Sequence, residues 1–90
     1  MRILLIEDNP GDARLIQEIL KETPEKLTIN ISEKLSSGLK FLASQEDVDV
    51  VLLDLGLPDS HGLETLTKVR TQSSHLPIVI MTSIADEEMP

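Results

Sequence analysis

The fold is decided by residues 2–10, which read RILLIEDNP. The first five are an almost continuous apolar run, which predicts a central strand of a parallel sheet that is covered on both faces. The run ends abruptly in Glu7 and Asp8. Asn9 and Pro10 then predict the N-cap and the first position of a helix. A buried strand, two carboxylates and a helix start therefore follow one another without a linker.

The same alternation of apolar run and helical pattern continues along the chain. Residues 26–32 alternate in polarity and predict a strand nearer an edge, whereas 49–54 and 76–81 predict two further strands. Helical patterns separate these runs, one of them at about 33–44, and another helix is predicted to begin near Asp86. This order predicts an α/β fold, a doubly wound parallel sheet with four strands and three complete helices.

The spacing of apolar residues predicts the buried face of each helix. These faces are Ala13, Leu15, Ile16, Ile19 and Leu20 in the first helix, Leu35, Leu39, Leu42 and Ala43 in the second, and Leu63, Leu66 and Val69 in the third. Gly38 is expected to weaken the second helix, because glycine is a poor helix former. Asp59 or Ser60 is expected to cap the third.

Polar side chains end three of the four predicted strands. Glu7 and Asp8 follow the first strand, Asp54 ends the third, and Thr82 follows the fourth. In a parallel sheet these ends coincide, and the crevice outside them is the expected ligand site of a doubly wound fold. Three carboxylates in one crevice repel one another unless a cation lies among them. Ligands that are all oxygen indicate a hard divalent ion, most plausibly Mg²⁺.

A metal ion held by carboxylates is typical of phosphoryl transfer, in which the protein mainly positions groups and neutralises charge. The candidate nucleophile is Asp54, whose attack on a phosphoryl group would give an aspartyl phosphate. It is better placed than Glu7 or Asp8, since it lies on a buried strand next to a short loop. The Thr82 hydroxyl would be a donor to a transferred phosphoryl oxygen.

Three segments resemble the receiver domains of two-component response regulators. They are IEDNP at 6–10, LDLGLPDSHG at 53–62 and IMTS at 80–83, and the resemblance covers the 90 residues in order. It implies that residues 1–90 are one receiver domain with the flavodoxin-like, CheY-like fold. It also implies a phosphorylation switch module and not an enzyme, with at most self-catalysed phosphotransfer and autodephosphorylation.

The resemblance assigns a role to each site residue. Asp54 would be the phosphoacceptor, and Glu7, Asp8 and Asp54 would surround Mg²⁺ together with the backbone carbonyl of Gly56. Thr82 would be the switch hydroxyl that moves toward the phosphoryl group. The implied donor is a phosphohistidine on a sensor histidine kinase or a phosphotransfer protein.

Receiver domains continue through a fifth strand and helix, with a lysine after that strand that pairs with the phosphoryl group. The 90 residues end before these elements. We therefore expect a receiver domain that is incomplete at its C-terminus, with weak Mg²⁺ binding and impaired phosphorylation. We also expect a homodimer formed through the uncovered sheet face or the edge of the fourth strand, which light scattering would detect.

Composition limits the partners. A net charge of −8 argues against nucleic acid and anionic membranes, because both would repel the chain. The absence of cysteine removes disulfides and thiol chemistry and favours a cytoplasmic protein. No apolar run approaches the roughly 18–20 residues of a membrane span, and Met1 leads directly into patterned sequence and not into a signal peptide.

The same residues argue against two other functions. A Mg²⁺-dependent phosphatase with an aspartyl nucleophile would need a second aspartate two positions after Asp54, where the chain has Gly56. A dinucleotide-binding domain would need a glycine-rich turn after the first strand, where this turn is acidic. The remaining alternative is a receiver fragment that does not signal and serves a structural or assembly role.

Overall fold

A computed structural model describes residues 1–45 and 47–81. The elements are β1 (Arg2–Ile6), α1 (Pro10–Leu20), β2 (Thr28–Ser32), α2 (Leu35–Ser44), β3 (Val50–Asp54), β4 (Gly56–Leu57), β5 (Ser60–His61), α3 (Gly62–Gln72) and β6 (Ile78–Met81). The helix predicted to begin near Asp86 lies outside the described residues. Among the helices that the structure describes, none has the length and apolarity needed to cross a membrane.

The main sheet has four parallel strands in the order β2-β1-β3-β6. From β1 the chain runs outward to β2, then crosses back over β1 to β3 and continues to β6. The connections therefore diverge between β1 and β3, which is where doubly wound sheets bind ligands. This order confirms the predicted flavodoxin-like fold class. It also places the functional crevice beyond the carboxyl ends of β1 and β3.

One face of the sheet carries the main core. Side chains alternate along a strand, so Leu4 and Ile6 of β1 share this face with Val51 and Leu53 of β3. The buried members of the core are Leu4, Ile6, Leu35, Leu42, Val48, Val51, Leu53, Leu57, Val69 and Leu76. Burying each large apolar side chain contributes about 1.5–3 kcal/mol relative to exposure. The core thus fixes α2 and α3 against the strands that carry the site.

The α2 helix packs closely against β1 at Gly38. A Cβ at this position would lie 2.6 Å from Cδ1 and 3.0 Å from Cγ1 of Ile6, a side chain with no exposed surface. The sequence predicted only that Gly38 weakens the helix. The structure shows that the missing side chain makes room for Ile6. Ala43, predicted on the buried face of α2, is exposed.

The α1 helix buries a narrower face than its sequence predicts. Crossovers to β2 and to β3 run in opposite directions, so right-handed connections place α1 and α2 on opposite faces of the sheet. Ala13 is buried and Ile16 and Leu20 are half-buried, whereas Leu15 and Ile19 are 50% and 57% exposed. The prediction that Leu15 and Ile19 are buried is wrong, because α1 faces the sheet with Ala13, Ile16 and Leu20, and these two residues lie at the flank of that stripe.

The start of α3 differs from the prediction. The N-cap residue is His61, whose side chain makes no capping hydrogen bond, so neither Asp59 nor Ser60 caps this helix as expected. The first residue, Gly62, has a φ of 60°, a conformation that favours glycine. Its N–H donates to the Leu55 carbonyl at 2.8 Å. The turn into α3 is thus set by the backbone of residues 55–62 and not by a side-chain cap.

The buried face of α3 is also shifted. Leu63 is 71% exposed, and the buried residues are Thr65 and Val69, with Leu66 half-buried. Leu63 lies in the first turn of the helix, at the end of the buried stripe. Thr65 is satisfied by a hydrogen bond from its Oγ1 to Ser60 Oγ at 2.8 Å. This bond joins α3 to β5.

Candidate metal centre

The candidate site lies where β1 and β3 end side by side. Ile6 is the register partner of Leu53, so the next residues, Glu7 and Asp54, are neighbours at the edge of the crevice. The Glu7 N–H donates to the Ser32 carbonyl at 2.9 Å, which extends the hydrogen bonding between β1 and β2 by one residue. Both side chains are therefore carried by the rigid centre of the sheet.

Three carboxylates converge at this point. One oxygen from each of Glu7, Asp8 and Asp54 lies within 4.8 Å of the others. Glu7 and Asp54 are 6% and 7% exposed, whereas Asp8 is exposed. A set of oxygen ligands on one side and solvent on the other fits a hard divalent cation that keeps some of its water. The residues present therefore suit such an ion.

Backbone N–H groups orient the two buried carboxylates. The Asn9 N–H donates to Glu7 Oε1 at 3.2 Å, and the Gly56 N–H donates to Asp54 Oδ1 at 2.9 Å. Asn9 in turn caps α1, because its Oδ1 accepts the N–H groups of Gly11 and Asp12. The predicted N-cap at Asn9 is thus confirmed. The loop that follows β1 is held at both of its ends.

Burial is the largest cause of a raised pKa at Glu7. It moves the pKa from 4.5 to about 7, against the lowering effect of the Asn9 N–H and with the help of the negative charge of Asp54. The negative charge of Asp54 is a smaller cause of this raised pKa, and a bound cation would offset it. The negative charge shared by Glu7 and Asp54 thus agrees with the cation site that their oxygen ligands indicate.

This shift predicts how the stability of the metal-free chain depends on pH. The folded-state pKa lies above the unfolded value, so folding favours the protonated carboxyl. Its contribution is fully present below about pH 4.5 and is lost as the pH rises through about 7. Relative to Glu7→Gln, we expect the unfolding free energy of the wild type to fall by about 2 kcal/mol between about pH 5 and about pH 8.

Urea unfolding in EDTA, followed by circular dichroism, measures this difference. The Glu7→Gln chain is the reference, because every other titrating group is common to both proteins. Stability curves that stay parallel across this range would contradict the raised pKa of Glu7.

The remaining predicted site residues are Gly56 and Thr82. Gly56 lies in β4, which pairs with β5 in a short antiparallel hairpin where the sequence predicted only a loop. Its position two residues after Asp54 puts it beside the carboxylate cluster. Thr82 lies outside the described residues.

Sequence reasoning missed the contact made by Asp59. Its carboxylate accepts the N–H groups of Leu35 at 2.8 Å and Ser36 at 2.9 Å, so it caps α2 and not α3. The N–H groups of Ser36 and Leu35 hold the pKa of Asp59 below its ordinary value. The one hint in the sequence is Lys34, a poor N-cap residue at the start of α2, whose side chain makes no capping bond.

Comparison with known protein families matches residues 3–90 to the response regulator receiver domain. The chain belongs to this family. The receiver domain is 36% identical over 88 residues to the cell cycle response regulator CtrA of Brucella ovis, with 98% of this chain and 37% of that protein covered. It spans only 23% to 40% of the length of the first curated relatives that it matches.

Two solved structures show the same fold. The receiver domain has 31% identity and a TM-score of 0.77 to the Mn²⁺-bound form of the response regulator Rcp1, covering 94% of this chain and 69% of that one. It has 29% identity and a TM-score of 0.79 to a chain in the complex of the histidine kinase ThkA with the response regulator protein TrrA, covering 99% and 74%. Receiver domains are phosphorylation switch modules of two-component systems, and the predicted family is confirmed.

Proposed function

We propose that Asp54 is the phosphoacceptor of this receiver domain, in a reaction that depends on Mg²⁺. The observation that carries the proposal is the convergence of Glu7, Asp8 and Asp54 beyond β1 and β3, with carboxylate oxygens within 4.8 Å. Asp54 is the member of this set that ends a buried strand, and its Oδ1 accepts the Gly56 N–H. Its carboxylate is thus buried, and one of its oxygens is oriented by a backbone N–H group at the edge of the crevice.

The transfer is a displacement at phosphorus. One carboxylate oxygen of Asp54 forms a bond to the phosphorus of a phosphohistidine as the P–N bond breaks. The electron pair of that bond returns to the imidazole of the donor, which takes a proton from water. The Gly56 N–H keeps Oδ1 in place, so the other oxygen is the one we assign to the attack.

Glu7, Asp8 and Asp54 are the side chains that would hold the metal ion, and we add the backbone carbonyl of Gly56. When bound, Mg²⁺ offsets the negative charge of the carboxylates and of the transferring phosphoryl group. The Mn²⁺-bound form of Rcp1 supports a divalent ion here. Mg²⁺ is our choice because oxygen-only ligands suit it.

A sensor histidine kinase or a phosphotransfer protein is the proposed donor, as the resemblance to the complex of ThkA and TrrA suggests. We propose a cytoplasmic location, and we keep Thr82 as the proposed switch hydroxyl.

Residues 1–90 would act as one receiver domain, with self-catalysed transfer and autodephosphorylation as its only chemistry. Homodimer formation through the uncovered sheet face or the edge of β6, the fourth predicted strand, stays a proposal. Family membership favours this switch over a purely structural role.

Intact-mass spectrometry tests the proposed reaction. The chain is incubated with phosphoramidate, a small donor with a P–N bond, in Mg²⁺ or in EDTA. We expect the mass of one phosphoryl group to be added in Mg²⁺ and not in EDTA. Equal labelling in the two conditions, or no labelling in either, would contradict the proposed metal-dependent switch. The structural or assembly role would then be the remaining alternative.

A further inference from the structure

Asp59 joins the segment next to the phosphoacceptor to the N-terminus of α2. Its Oδ1 accepts the Leu35 N–H at 2.8 Å and its Oδ2 accepts the Ser36 N–H at 2.9 Å. The N-cap residue of α2, Lys34, makes no side-chain capping bond of its own. The first turn of α2 is therefore capped by a carboxylate 24 residues further along the chain.

The same segment reaches the phosphoacceptor within a few residues. Asp59 lies between β4 and β5, and β4 begins at Gly56, whose N–H donates to Asp54 Oδ1 at 2.9 Å. Strands of two residues form a hairpin too short to be stable by itself, so its position depends on its anchors. One anchor is buried Leu57 and another is the bond between Thr65 and Ser60. Asp59 is the anchor toward α2.

We propose that Asp59 is a positioning residue, whose carboxylate ties the hairpin to α2 and thereby holds Gly56 against Asp54. The proposal rests on the function proposed above for Asp54. Asp59 is not one of the three carboxylates that converge at the candidate metal site. It acts through Gly56, whose N–H donates a hydrogen bond to Asp54 and whose carbonyl, in our assignment, would coordinate the metal ion.

The chemistry of the contact suits this role. A carboxylate that accepts N–H groups at a helix N-terminus makes charge-assisted hydrogen bonds and faces the positive end of the helix dipole. Ionised Asp59 binds α2 more strongly than a neutral side chain would, in line with its lowered pKa. Loss of the carboxylate would leave the hairpin free to move away from α2 while the sheet and the core remain intact.

Asp59→Ala, Asp59→Asn and Asp49→Ala test the proposal against the wild type. Asparagine keeps one oxygen acceptor for the α2 cap, whereas alanine keeps none. Asp49 is the matched control, because its Oδ2 also accepts a backbone N–H, from Arg2 at 2.7 Å, but lies at the opposite end of β3. Circular dichroism first establishes a temperature at which all four proteins are folded.

The measured quantity is the Mg²⁺ dissociation constant, from titration of backbone amide signals by NMR. We expect Asp59→Ala to bind Mg²⁺ about tenfold more weakly, since residues that orient metal ligands affect affinity by about this much or more. Asp59→Asn should lie between Asp59→Ala and the wild type, and Asp49→Ala should match the wild type. Phosphorylation by phosphoramidate should slow in the same order below saturating Mg²⁺ and recover at saturation.

Hydrogen exchange of the Gly56 amide gives a second readout in the metal-free chain. We expect faster exchange in Asp59→Ala and no change in Asp49→Ala. An Asp59→Ala chain that binds Mg²⁺ as tightly as the wild type would overturn the proposal. If the wild type itself neither binds Mg²⁺ nor becomes phosphorylated, the proposed function fails separately. In that case, hydrogen exchange of the Gly56 amide still tests the positioning role of Asp59. Faster exchange in Asp59→Ala would support that role, and unchanged exchange would exclude it.

Discussion

Asp54→Asn is expected to abolish phosphorylation of the chain by phosphoramidate in Mg²⁺. Asparagine has nearly the same shape as aspartate, and its side-chain oxygen can still accept the Gly56 N–H. It lacks the carboxylate that would attack phosphorus, and it removes one of the three acidic ligands. Incorporation measured by intact mass should therefore fall from one phosphoryl group to none, while circular dichroism shows a folded chain.

Asp49→Asn is the matched control for this substitution. Asp49 precedes β3 at the end opposite to Asp54, and its Oδ2 accepts the Arg2 N–H. The same chemical change there should leave phosphorylation at the wild-type level. Phosphorylation of Asp54→Asn at an appreciable rate would mean that another group accepts the phosphoryl group.

Gly38→Val is expected to lower the free energy of unfolding more than any other substitution proposed for this chain. A Cβ at this position would lie 2.6 Å from Ile6 Cδ1, and the fully buried Ile6 side chain has little room to move. Overpacking of this kind costs about 3 kcal/mol at its upper range, which is a large share of the stability of a small domain. Gly38→Ala should cost less, because alanine recovers about 1 kcal/mol of helix propensity.

Ala43→Val is the matched control in the same helix. Ala43 is exposed, so a branched side chain there changes helix propensity but meets no buried neighbour. Urea unfolding followed by circular dichroism should place Gly38→Val well below both the wild type and Ala43→Val. Equal midpoints for the two valine variants would show that Ile6 adapts to the added side chain.

The order of elements was predictable from the sequence, because its signals are local. Apolar runs and helical spacing define β1, α1, β2, α2, β3, α3 and β6 within a few residues of their observed ends. The meeting of Glu7, Asp8 and Asp54 was equally predictable, since parallel strands bring their carboxyl ends to one edge. The first step uses local patterns, and the second uses only the general geometry of a parallel sheet.

The features that the sequence did not reveal depend on contacts between distant segments. Asp59 stands just before α3 and looks like its cap, but it reaches the first turn of α2 instead. Gly38 is unfavourable for an isolated helix and is needed only because α2 packs against Ile6. Likewise, the exposure of Leu15 and Ile19 reflects how α1 sits on the sheet, which helical spacing alone leaves open.

The most direct measurement locates the phosphoryl group on the chain. After labelling with phosphoramidate and Mg²⁺, the chain is digested and sequenced by mass spectrometry, before and after treatment with hydroxylamine, which cleaves acyl phosphates. We expect a single modification at Asp54 that hydroxylamine removes. A modification at His61 or His75, or one that withstands hydroxylamine, would contradict the assignment of Asp54 as the phosphoacceptor.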